Sequence, residues 1–147
     1  MVMANKKKIL AIVERGKGKR NFSCFAPEDI DNCGMGGYGG SAREAMADAE
    51  LSAKEYKEMK AEEGKTFPDV EFDFRFDVGA FFDYYPIDVT AFAKYIGMNA
   101  SVLRQYVTAI RQPKQEAIDK IRKGIEKLSR DLGMNLLVEM PPASYVK

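Results

Sequence analysis

The chain has 147 residues, 46% hydrophobic and 31% charged, enough for one ordinary domain or two small ones and the balance of a soluble globular fold. It has no histidine, which excludes Ser-His-Asp and Cys-His catalysis, HExxH zinc sites and every histidine-ligated metal. Net charge is +1, yet residues 1–40 carry +3, residues 41–85 carry −6 and residues 86–147 carry +4, a sign change that points to regions with different partners.

Two cysteines, Cys24 and Cys33, are too few for a disulfide framework or a structural zinc site, and read as small buried hydrophobes. No apolar run approaches the roughly 20 residues that span a bilayer. Ile9 to Val13, after the basic start, is too short for a secretory leader. No membrane contact, metal or cofactor is expected, and the cytoplasm is the expected location.

Ile9 to Glu14 reads as a strand and Asn21 to Ala26 as its hairpin partner, joined by a polar turn at Gly16 to Lys19. Gly34 to Gly40 is glycine-rich. It lacks the Gly-Lys-Ser/Thr ending of a phosphate loop and reads as a flexible or bulged edge strand. Ser41 is a plausible N-cap, with Glu44 completing a capping box. Ala45, Ala49, Ala53 and Tyr56 recur at helical spacing, and Gly64 stops that helix. Val70 to Phe76 alternates strictly, which predicts a half-buried strand with Phe72, Phe74 and Phe76 in the core and Glu71, Asp73 and Arg75 on a wet face. Asp77 to Tyr85 reads as a short aromatic helix.

After Pro86 the period is helical. Asp88 caps a helix to Ile96, Asn99 caps one to about Arg111, and Lys114 to about Leu132 forms a third, with Ile118, Ile121, Ile125 and Leu128 as its stripe. Asn135 to Met140 is a late strand candidate. The expected class is α+β: a small α/β unit of ββ(β)αβ order over residues 1–85, an all-α helix-turn-helix domain over 86–133, and a tail over 134–147.

The spacing of Ala93, Gly97, Leu103 and Tyr106 is that of a helix-turn-helix. Ala93 is small where the second helix crosses, Gly97 supplies a positive φ, and Leu103 and Tyr106 lock the helices together. Asn99, Ala100, Ser101, Arg104, Gln105 and Thr108 should then stand proud toward a major groove, with Gln105 suited to adenine and Arg104 to guanine. Lys94, Arg111 and Lys114 are suited to phosphates. A homodimer or higher oligomer on paired half-sites is expected. The bland alternative is a helical hairpin with a solvated polar face.

This stretch resembles the Cro-type helix-turn-helix of phage and plasmid repressors, except that Ala109 stands where that family often has glycine. Gly39-Gly40-Ser41-Ala42-Arg43-Glu44-Ala45, between a hairpin and an alanine-faced helix, resembles the N-terminal domain of HicB-type antitoxins, a partial ribonuclease-H-like unit joined to a DNA-binding domain. That family's Pro-Asp-x-x-Gly-Cys segment is replaced here by Pro27 to Gly34. The resemblance covers roughly residues 9–133. It implies an antitoxin that neutralises a small basic HicA-type ribonuclease toxin and represses its own operon through operator DNA. Glu44, Asp48, Glu55, Glu58 and Glu62 are the candidate toxin contacts, since an RNA-gripping toxin needs a basic surface. A charged helix face is more often merely solvated.

Two other classes compete. One is a stand-alone transcriptional regulator with a dimerising or ligand-sensing N-terminal domain. The other is a metal-dependent nuclease using Glu14, Glu71, Asp73 and Asp77. No catalytic residues are assigned, because Arg75 shares the strand face of Glu71 and Asp73.

Overall fold

In a computed structural model, residues 6–16, 21–134 and 137 are described. Apart from Gly16 and Leu137, the turn expected at Gly16 to Lys19 and the strand expected at Asn135 to Met140 lie outside these residues. The described part is mixed α and β, with a four-stranded sheet and five helices.

β1 (Lys6–Arg15), β2 (Phe22–Phe25) and β3 (Gly36–Gly39) form an antiparallel meander. α1 (Ala42–Glu62) then crosses the sheet, and β4 (Asp69–Phe76) pairs parallel to β1, giving the order β3-β2-β1-β4. β1 starts earlier than its apolar pattern predicts. The register sets Lys6 beside Asp69 and Lys8 beside Glu71, so opposite charges on neighbouring strands extend the pairing.

Ile9, Ala11, Val13, Phe22 and Cys24 face α1 and are buried against Ala42, Ala45, Ala49 and Ala53. The helix lies so close to the edge strand that a Cβ on Gly37 would meet the backbone nitrogen of Ala49 at 2.4 Å, and one on Gly39 would meet the Ala45 nitrogen at 2.7 Å. The glycine-rich run is thus an edge strand whose missing side chains admit the alanine face of α1. Leu10, Phe25 and Tyr38 lie on the opposite face, and Tyr38 is 77% exposed.

Ser41 caps α1 by accepting from the Glu44 N–H at 3.1 Å, and the Glu44 carboxylate accepts from the Gly40 N–H at 2.8 Å. The expected capping box therefore closes one residue earlier, on Gly40 rather than on Ser41. Phe72, Phe74 and Phe76 do pack toward the core. They are half-buried rather than enclosed, because β4 ends the sheet; Phe76 meets the rings of Tyr84 and Tyr85 and borders an open cleft with Ile118, Ile121 and Ile125.

α2 (Val78–Tyr84) is capped by Asp77, whose carboxylate accepts from the Ala80 N–H at 2.8 Å. α3 (Val89–Ile96), α4 (Ala100–Val107) and α5 (Gln115–Gly133) follow. Phe82 of α2 joins Phe92, Ala93, Leu103 and Ile121 in a second core, while Ala80 belongs to the sheet core. The two cores meet in α2, ahead of the boundary expected after Tyr85. α4 is shorter than the reading to Arg111: Thr108 ends it, and Ala109 turns to φ +61°. The Ile110 N–H then returns to the Gln105 carbonyl at 3.0 Å.

Candidate nucleic-acid interface

α3 and α4 are joined by a tight turn. Asp88 caps α3 by accepting from the Ala91 N–H at 2.7 Å, and Asn99 caps α4 by accepting from the Val102 N–H at 3.1 Å. Between them Gly97 has φ +72° and ψ +35°, and the Met98 N–H reaches back to the Ala93 carbonyl at 2.8 Å. That backbone conformation is strained for any residue with a Cβ. Ala93 and Leu103 are fully buried where the helices cross, and Tyr106 packs on the same cluster.

Of the nine residues expected to meet DNA, Lys94, Asn99, Ser101, Arg104, Thr108, Arg111 and Lys114 are exposed. Gln105 is half-buried. Ala100 is a correction: it packs against the helical core instead of standing proud, because the first turn of α4 leans on α3. Ser101, Arg104, Gln105 and Thr108 share one side of α4, being three or four residues apart.

Several of these side chains already have protein partners. The Asn99 carbonyl oxygen is used by the cap, leaving its amide free to donate. Arg104 Nη1 donates to Thr90 Oγ1 at 2.9 Å, so its guanidinium lies back toward α3. The Thr108 hydroxyl donates to the Arg104 carbonyl at 2.9 Å, within its own helix. Arg111 sits 5.9 Å from the Tyr106 ring centroid. Three contacts that brace the site have no signal in the sequence. Thr90 holds Arg104, Lys120 of α5 donates to the Gly97 carbonyl at 3.0 Å, and Arg15 Nη1 donates to the Val107 carbonyl at 3.1 Å. All three are tertiary contacts between separate elements, and no local spacing signals them.

The five candidate acidic residues of α1 divide into two groups. Glu44, Asp48, Glu55, Glu58 and Glu62 are all exposed and fall within an arc of about 80° at 3.6 residues per turn. Glu44 binds the Gly40 N–H, and the Asp48 carboxylate accepts from the Tyr38 N–H on β3 at 2.9 Å. Those two carboxylates hold the edge strand to the helix. Glu55, Glu58 and Glu62 have no such bond; Leu51 lies exposed within the same arc and Met59 at its border, at 52% and 42%.

The acidic residues considered for metal chemistry do not come together. Asp77 accepts from the backbone N–H groups of Ala80 and Arg15, and Asp73 pairs with Arg75 at 3.1 Å. Among the described residues, no three His, Cys, Asp or Glu side chains gather closely enough to hold a metal ion. No helix among them is long and apolar enough to cross a membrane. A cleft of about 250 Å³ lies between the sheet unit and the helices, lined in part by Arg15, Asp77, Tyr106, Ala109 and Arg111. Burial pushes the Asp77 carboxyl above its ordinary 3.8, and the Ala80 and Arg15 N–H groups and the Arg15 charge oppose that rise. In comparisons with family models, curated proteins and solved structures, nothing was found to match this chain.

Proposed function

We propose that the protein is a non-enzymatic antitoxin of HicB type, which binds a small basic ribonuclease through its sheet unit and represses transcription through α4. The observation that carries the reading is the α3–turn–α4 unit, with its left-handed Gly97 and the polar side Ser101, Arg104, Gln105 and Thr108. Lys94, Arg111 and Lys114 supply exposed positive charge for phosphates. The exposed acidic stripe of α1, interleaved with Leu51 and Met59, offers a basic partner both charge and apolar area. In this reading the protein works in the cytoplasm as a homodimer or larger assembly on paired half-sites of its operator, with no cofactor and no membrane contact.

The test is expression of the tagged chain with any short basic reading frame beside its gene, followed by native mass spectrometry. A stoichiometric complex that also shifts operator DNA supports the reading. On that DNA, Gln105→Ala should weaken binding by about 1–3 kcal/mol if it reads a base. Lys94→Ala should lower the slope of log affinity against log salt by about 1. A chain that elutes alone and still shifts DNA favours a stand-alone regulator. One observation favours that second reading: the cleft beside the end of α4 contains Arg15, whose Nε is buried with no hydrogen-bond partner.

A further inference from the structure

We propose that the outer edge of β4 pairs with the same edge of a second copy, antiparallel and centred on Phe74, to join two four-stranded sheets into one. This goes beyond an expectation of some homo-oligomer by naming the surface and the register, and it stands whether or not α4 reads DNA.

β4 ends the sheet, with β1 as its one strand neighbour among the described residues. The Asp77 N–H donates to the Val13 carbonyl at 3.0 Å, and the β1–β4 register runs unbroken from Lys6–Asp69 to Val13–Phe76. Peptide groups along a strand alternate sides. Glu71, Asp73 and Arg75 therefore turn theirs to β1, and Phe72, Phe74 and Phe76 turn N–H and C=O outward. The strand spans eight residues, DVEFDFRF, with no proline, glycine or lysine to blunt its edge.

The outward peptide groups limit how two copies can meet. On a twofold axis at Phe74, the two Phe74 residues exchange both backbone hydrogen bonds, and Phe72 meets the partner's Phe76 in the same way. Asp73 then falls opposite the partner's Arg75, and Arg75 opposite the partner's Asp73. These are non-hydrogen-bonded positions, where facing side chains come closest. Neighbouring registers are worse. Centred on Phe72, the carboxylates of Glu71 and Asp73 face each other, and the Asp69 that meets Arg75 is already paired with Lys57. Centred on Asp73 or Arg75, that residue faces its own copy. Centred on Phe76, the overlap shrinks and would draw on Asp77, which already binds the Ala80 and Arg15 N–H groups. Like charges directly opposite are destabilising and unlike charges favourable. In the Phe74 register Glu71 falls opposite the partner's Asp77, just past the end of β4, but that carboxylate is turned in to the Ala80 and Arg15 N–H groups, so the two Asp73–Arg75 pairs decide the balance.

Packing agrees with charge. Phe72, Phe74 and Phe76 are half-buried on the α1 side of the strand, and pairing sets each against a partner phenyl group. Asp73 and Arg75 lie on the other side, already bonded at 3.1 Å within one chain. Pairing turns them into a network of four charges.

The experiment is sedimentation of the full chain at micromolar concentrations. The wild type should sediment as a dimer or a multiple of it. Asp73→Arg and Arg75→Asp should each weaken self-association by about tenfold or more, by setting like charges opposite. Their circular dichroism should stay unchanged, because both side chains are on the surface. The double exchange D73R/R75D should associate as the wild type does. Mixing the two single variants should also restore association, since opposite charges then face each other at both positions. A monomeric wild type overturns the proposal. So does an oligomer indifferent to both reversals, or a double exchange that fails to recover association.

Discussion

Arg15 Nη1 donates to the carbonyl of Val107 at 3.1 Å, bonding the last residue of β1 to the last residue of α4. The same guanidinium lies 5.4 Å from the Phe22 ring centroid. The candidate DNA-reading helix is therefore anchored to the sheet by one side chain. Arg15→Ala should destabilise the protein by about 1–2 kcal/mol through that lost bond. Calorimetry should show the unfolding transition broadening as the helical part melts more independently of the sheet. A single transition of undiminished sharpness and midpoint would mean that the contact does not couple them.

Gly97 and Ala109 make a natural pair of controls. Both are left-handed, at φ +72° and +61°, and they end α3 and α4 respectively. Gly97→Ala should cost about 1–2 kcal/mol. Ala109→Gly should gain up to about 1 kcal/mol, because it relieves the same strain. Denaturant midpoints measure both, and opposite signs are the expected result.

Asp77 gives a dependence on pH. Its folded pKa lies above the ordinary 3.8, chiefly through burial. The folded state therefore holds the proton more tightly than the unfolded chain. The stabilisation from that proton is complete below 3.8 and is lost as pH rises through the folded value. Asp77→Asn keeps a capping oxygen and removes the titration. The stability of the wild type minus that of D77N should thus increase as pH falls toward 3.8. Asp77→Ala removes the cap and should cost about 1–2 kcal/mol at neutral pH. A wild type to D77N difference that does not move with pH would contradict this account.

The two thiols should differ in reactivity. Cys24 is buried between β2 and α1, and burial, with a smaller contribution from Glu50, pushes its pKa up to about 11. Cys33 is half-buried in the Ile30–Cys33 turn. Thiolate is the reactive form. A maleimide should label one site in the native protein, Cys33, and two in denaturant, as counted by mass spectrometry. Equal labelling of both in the native state would show that the β2–α1 contact opens readily.

Local patterns carried most of the elements. The alternation of Val70 to Phe76 shows which side of β4 faces inward, because period 2 needs no tertiary knowledge. Ser41, Asp88 and Asn99 mark helix starts because a cap acts on its own first turn. Ala45, Ala49 and Ala53 announce a close approach, but not that Gly37 and Gly39 are what they approach. The end of α4 is not legible because nothing in Thr108-Ala109-Ile110 signals a stop, and Ala109 takes a conformation its side chain disfavours. Within the candidate site, exposure followed from helical period for Ser101, Arg104 and Thr108. The inward placement of Ala100 and the ties to Thr90, Lys120 and Arg15 depend on how separate elements pack.

α2 belongs to two cores at once. Ala80 is enclosed with the sheet, Phe82 with α3 to α5, and Asp83 accepts from the Ala42 N–H at the start of α1 at 2.8 Å. A chain built this way does not divide cleanly at Pro86: a fragment starting there leaves behind the phenyl group that fills its centre, and the remainder exposes it. Recombination that exchanges one half for a homologous piece must carry this short helix intact and satisfy both neighbours.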